Sequence, residues 1–116
     1  MAKKVLIVDD NAVNRALATA VLKKSGFDVQ VVEDGFKALN LLELGGFDNV
    51  LLDINMPGIN GEEVCRKIRS NPKMRGLRVV AYTAHVQEAD RRKLIEIGFD
   101  DVITKPATRQ MIESKM

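Results

Sequence analysis

A doubly wound α/β fold, with five parallel strands in the order 2-1-3-4-5 and helices on both faces, is what this sequence predicts. Short apolar runs rich in β-branched residues alternate five times with segments of helical periodicity, and glycine or proline separates them. Several of those runs end abruptly in polar residues: Asp9-Asp10, Asp53, Thr83 and Lys105. Right-handed crossovers then set strand 1 beside strand 3 and open every loop that follows a strand on the same edge.

Residues 4–8 are almost wholly apolar, as a strand covered on both faces requires. From Val13 to Lys24 the apolar positions 13, 16, 17, 20 and 21 recur at helical spacing and leave Arg15, Lys23 and Lys24 for solvent. Gly26 stops this helix, Val29 to Val32 makes the second strand, and Asp34-Gly35 turns into a helix carrying Ala38, Leu39, Leu41, Leu42 and Leu44. Gly45-Gly46 ends that helix, and residues 48–52 form the third strand. After the Pro57-Gly58 loop, Val64, Cys65 and Ile68 mark the next helix. Pro72 and Gly76 precede the strand at 77–82, Val86 to Ile97 reads as a helix closed by Gly98, and Asp101 to Thr104 is a short last strand before Lys105-Pro106 and a weak helix around Met111 and Ile112.

The 116 residues suffice for one domain, here 1–116, so an output is expected to pass through a partner. No apolar stretch approaches the roughly 20 residues that span a bilayer, Lys3-Lys4 lacks the pattern of a signal peptide, and the expected location is the cytoplasm. The lone Cys65 is expected to pack rather than react. A net charge of +2, with basic residues dispersed and no aromatic platform, argues against direct DNA binding.

At the strand ends, Asp9, Asp10 and Asp53 would repel one another unless a cation intervened, and an all-oxygen set without a Cys/His cluster favours Mg²⁺. An aspartate so neutralised can act as a nucleophile toward phosphorus, giving a mixed anhydride at Asp53. Lys105 can meet a phosphoryl oxygen or pair with Asp53, or be a surface lysine before a turn. Thr83 can donate to that oxygen or cap the helix that follows, and Asp9-Asp10 can equally cap the first helix. His85, the single histidine, is expected to tune water access or partner contact.

Together the segments Val5-Leu6-Ile7-Val8-Asp9-Asp10-Asn11, Leu51 to Gly61, Ala81-Tyr82-Thr83-Ala84-His85 and Asp100 to Pro106 resemble the receiver domain of two-component response regulators, with its flavodoxin-like fold. The resemblance implies a phosphorylation-dependent switch, a signalling protein that assists its own phosphorylation and dephosphorylation rather than an enzyme with external turnover. It implies Asp53 as acceptor of a phosphoryl group from phosphohistidine, on a sensor histidine kinase or a histidine phosphotransfer protein that docks near helix 1. It further implies Mg²⁺ held by Asp10 and Asp53, by Asp9 through water and by the backbone carbonyl of Asn55, with Thr83 and Lys105 contacting the phosphoryl group. Lys105-Pro106 is expected cis, and a downstream protein target to read the switch from a monomer or weak dimer.

Two readings compete. An aspartate phosphatase would want a second carboxylate where Asn55 stands, and a flavodoxin-like cofactor carrier would want an aromatic-lined phosphate loop. A receiver that works without phosphorylation is a further alternative, because Val102 stands where the family has Tyr or Phe. Tyr82 is expected to occupy part of the outer surface left by that missing ring, and the short final helix to weaken the surface it shares with helix 4.

Overall fold

The structure is a computed structural model that describes residues 2–84 and 87–116, the side chains of residues 88 and 89 excepted. Its elements are β1 (Lys4–Val8), α1 (Ala12–Lys24), β2 (Asp28–Val32), α2 (Gly35–Glu43), β3 (Asn49–Asp53), α3 (Gly61–Ser70), β4 (Arg78–Thr83), α4 (Glu88–Ile97), β5 (Asp101–Thr104) and α5 (Arg109–Lys115). The sheet is parallel throughout and ordered β2-β1-β3-β4-β5, as the sequence predicts. The start of α4 expected at Val86 lies outside the described residues.

Side-chain alternation along the strands divides the core in two. Leu6, Val8, Val50, Leu52, Val79, Ala81 and Val102 pack with α2, α3 and α4, whereas Val5, Ile7, Leu51, Val80, Tyr82 and Ile103 pack with α1 and α5. Both faces of β1 and β3 are thus covered, which is why those strands read as unbroken apolar runs. Edge strand β2 is more open, with Val31 at 41% exposure.

The helix starts are written locally. Asn11, Asp34, Asn60 and Thr108 each accept a hydrogen bond from the backbone N–H three residues on, the usual role of such a side chain at an N-cap. Asn11 therefore caps α1, not the Asp9-Asp10 pair, and Thr83 lies well before the cap of α4 at Gln87.

The orientation of α1 differs from expectation. Val13 and Leu17 are 67% and 50% exposed and Ala16 and Ala20 also face outward, while Ala18 and Leu22 are fully buried and Arg15 is half-buried. This helix is apolar on more than one side, so periodicity alone could not choose the stripe that the sheet covers. Leu44, assigned to the apolar set of α2, is exposed at the helix end.

The last helix has seven residues, too few to be stable alone. It is held by the full burial of Ile112, by Arg78 Nε donating to the Lys115 carbonyl (2.8 Å) and by Lys115 Nζ donating to the Val102 carbonyl (2.8 Å). Tertiary contacts thus supply what local propensity lacks.

At the opposite edge from the strand C-termini, Arg69 ties three segments together. Its guanidinium donates to the carbonyls of Gly98 (2.8 Å), Arg75 (2.8 Å) and Leu77 (2.6 Å) and to Asp100 Oδ2 (2.8 Å), which also accepts from Val79 N–H. Gly98 has φ +133°, and a Cβ there would meet Arg69 Cγ at 2.8 Å. Loss of a planar donor serving several carbonyls leaves them unpaired. Arg69→Ala is therefore expected to lower stability by about 2–4 kcal/mol in urea unfolding, with Arg69→Lys restoring less than half of that. A loss below about 0.5 kcal/mol, the size of an ordinary surface change, would contradict the account.

Candidate functional site

The register Val8–Leu52, Asp53–Tyr82 and Thr83–Thr104 levels four strand ends and so gathers residues that are far apart in sequence. Asp9, Asp10 and Asp53 each present a carboxylate oxygen to a common point, all within 4.8 Å of one another. Asp9 is wholly buried and Asp10 exposed. Asp53 keeps only 4% of its accessible surface.

Lys105 closes the cluster. Its Nζ is 2.9 Å from Asp9 Oδ2 and 3.3 Å from Asp53 Oδ1, on a side chain 14% exposed. The alternative of an ordinary surface lysine is therefore set aside. The Lys105-Pro106 peptide is cis, as expected. Burial disfavours the ammonium, but Asp9 and Asp53 outweigh that cost and hold its pKa above the usual lysine value. Burial, and then the charge of Asp9, push Asp53 up to about 6 against the opposing pull of Lys105. Two carboxylates sharing one ammonium remain short of positive charge.

Backbone contacts hold the acidic groups in place. Asp9 Oδ1 accepts from Asn11 N–H (2.9 Å), Asp53 Oδ1 accepts from Asn55 N–H (3.2 Å), and Arg15 Nη1 donates to the Asp9 carbonyl (2.8 Å). Gly61 N–H donates to the Ile54 carbonyl (3.0 Å), and a Cβ on Gly61 would lie 2.2 Å from the Asp53 carbonyl oxygen. Arg15 and Gly61 were not singled out from sequence as site residues. Arg15 reads as a solvated helix residue, and only the approach of α3 to the end of β3 shows why position 61 must lack a side chain.

Thr83 and Tyr82 separate at this edge. Thr83 is buried and lines a cavity of about 220 Å³ with Ile54, Asn55 and Leu94 on the α3/α4 side. Tyr82 points the other way, 1% exposed among the α1/α5 core residues, and its Oη accepts from Ala107 N–H (3.4 Å). Tyr82 thus fills none of the outer surface near Val102, which packs in the other core cluster. The physical reason is strand alternation: neighbouring residues 82 and 83 face opposite sides of the sheet. His85 lies outside the described residues. Cys65 is fully buried, and desolvation pushes its thiol up to about 11, in keeping with packing rather than reactivity.

The donor set suits a hard cation. Three carboxylate oxygens converge, one residue of the three is open to solvent, and burial together with the neighbouring Asp9 carboxylate raises the Asp53 pKa despite Lys105. No His or Cys takes part in the cluster among the described residues.

Comparison with known proteins gives one answer. The family profile described as response regulator receiver domain matches residues 5–116. The sensor protein GacS of Pseudomonas syringae pv. syringae is 38% identical over 114 residues, which is 96% of this chain but only 13% of GacS. The chain thus spans a small part of the curated relatives it matches. Among solved structures, the receiver domain of sensor histidine kinase PA1611 from Pseudomonas aeruginosa, with a magnesium ion coordinated in its active site cleft, superposes with a TM-score of 0.88 at 30% identity, covering 98% of this chain and 93% of that one. The receiver domain of the Saccharomyces cerevisiae response regulator Ssk1, crystallised with the histidine phosphotransfer protein Ypd1, gives 0.88 at 29% identity, covering 98% and 86%.

The raised Asp53 pKa has a stability consequence of definite sign. The folded chain holds this proton more tightly than the unfolded chain, so the group's stabilising contribution is complete below about pH 4 and is lost as pH rises past about 6. Without divalent cation, Asp53→Asn is expected to stabilise the protein by about 1–2 kcal/mol at pH 7.5 and to make no difference near pH 4. Paired urea titrations of the two proteins at both pH values measure this.

Proposed function

The chain belongs to the response regulator receiver domain family, a family of signalling proteins, and from that premise we propose that Asp53 is its phosphoacceptor. The observation that carries the reading is the meeting of Asp9, Asp10, Asp53 and Lys105 at one sheet edge. The donor is a phosphohistidine, supplied by a sensor kinase or a histidine phosphotransfer protein. The receivers of PA1611 and Ssk1, with their magnesium ion and phosphotransfer partner, support both halves of this reading.

Lys105 and the Asn55 N–H both contact Oδ1 of Asp53, which leaves Oδ2 as the oxygen for bond formation. An electron pair of Oδ2 forms the new P–O bond while the P–N bond of the donor breaks, and the imidazole keeps that pair and takes up a proton. The product is an acyl phosphate, which water later cleaves at phosphorus to restore the carboxylate. Lys105 exchanges a carboxylate contact for a phosphoryl oxygen, and the Thr83 hydroxyl donates to another. Asp10 and Asp53 would hold Mg²⁺ directly, Asp9 through water, and the Asn55 carbonyl would complete the protein's share. When bound, the ion supplies neutralising charge for the approach of one anion to another.

The outward apolar stripe of α1, with Val13 and Leu17, is the surface on which the phosphohistidine protein docks beside the site. Signal leaves through α4, whose Leu94 borders the cavity next to Thr83. A cytoplasmic location suits this chemistry, and among the described residues no helix is long and apolar enough to cross a membrane.

With Mg²⁺ and acetyl phosphate, the protein should gain the mass of one phosphoryl group and Asp53→Ala should not. An unmodified wild type, beside a control receiver that is modified, would end the phosphoacceptor reading. Leu17→Glu should slow transfer from a phosphorylated histidine phosphotransfer protein by about tenfold or more, because a charge replaces a central apolar contact, while modification by acetyl phosphate persists. Equal slowing with both donors would count against docking on α1.

A further inference from the structure

Tyr82 is Asp53's register partner across β3 and β4, so the two side chains leave the same face of the sheet at the same level. The Tyr82 ring lies beneath the reactive cluster, with the Lys105 ammonium 5.0 Å from its centroid. Its hydroxyl meets the backbone of Ala107, two residues beyond Lys105. The ring is 1% exposed, within a core cluster that also holds Ile7, Val80 and Ile103. Packing alone would be met at this position by any large apolar side chain, but only an aromatic one turns an electron-rich face toward the ammonium.

We infer that Tyr82 is a positioning residue for Lys105, its ring face holding the ammonium over the site while the ammonium's contact with Asp53 is exchanged for a phosphoryl oxygen. The inference rests on the phosphoacceptor reading for its catalytic half. Lysine is a point charge on a flexible four-carbon stem, and one of the two carboxylates it contacts here, Asp53, loses its negative charge when the acyl phosphate forms. The ring, like Asp9, keeps its character while Asp53 is modified, and it meets the ammonium from beneath the cluster. In a site shielded from water, such a contact carries more weight than at the surface.

Two measurements test this, one of them free of catalysis. In proton NMR of the protein without phosphodonor or metal, the ε-methylene resonances of Lys105 should lie upfield through the ring current, should stay there in Tyr82→Phe and should return to the ordinary lysine position in Tyr82→Leu. In acetyl phosphate assays, Tyr82→Leu should slow modification of Asp53 by about three- to tenfold, and Tyr82→Phe should recover most of that loss. In a Lys105→Met background, Tyr82→Leu should add nothing.

Should the leucine variant fold poorly, phenylalanine at 82 compared with 3,4,5-trifluorophenylalanine at the same position keeps the shape and weakens the π face, and the fluorinated protein should be the slower one. Ordinary ε-methylene shifts in the wild type, an equal Tyr82→Leu effect with and without Lys105, or no effect of fluorination would each overturn the inference. No modification of the wild type would instead overturn the phosphoacceptor reading, and the NMR comparison would then decide the ring contact on its own.

Discussion

One ammonium sits between two buried carboxylates, and the site follows from that contact. Lys105 comes from the loop after β5, Asp9 from the end of β1 and Asp53 from the end of β3, so the ion pairs join ends that the chain places far apart. Burial makes the arrangement costly for each partner alone and tolerable only together. The compensation is incomplete: burial first, and then the second carboxylate that shares the same lysine, hold Asp53 up at about 6. A site left short of positive charge is suited to receive a divalent cation, and after it an anionic group.

The sheet performs a second task by sorting neighbours onto opposite faces. Thr83 opens toward α3 and α4, whereas Tyr82, one residue earlier, lies under Lys105 among residues packed with α1 and α5. The two neighbours thus face different surroundings across β4. On the α4 side Val102 is packed in the core, and Thr83 and Leu94 line the cavity.

Most of the fold was legible because its signals are short-ranged. Asp34-Gly35 starts α2, Gly98 ends α4 with a positive φ, and the apolar run of β1 reads as a doubly covered strand, whereas the caps at Asn11 and Asn60 came from the structure. The face of α1 was not legible. A helix with Ala, Val or Leu around most of its circumference carries no marker of its inner side, and of the assigned stripe Val13, Ala16, Leu17 and Ala20 proved to face outward while Val21 packs against the core. For α5, propensity understated a helix that Ile112 and the Arg78 and Lys115 contacts secure from outside it.

The sequence by itself determined the order of elements, the parallel sheet and the polar residues that end the strands, because hydrophobic period, capping side chains and breakers act within a few residues of one another. Tertiary structure alone decided how deep Asp53 lies, which stripe of α1 faces solvent, that Gly61 must leave room for the Asp53 carbonyl and that Tyr82 supports Lys105. Each of those depends on strand register or on the approach of one element to another, and neither is encoded in local spacing.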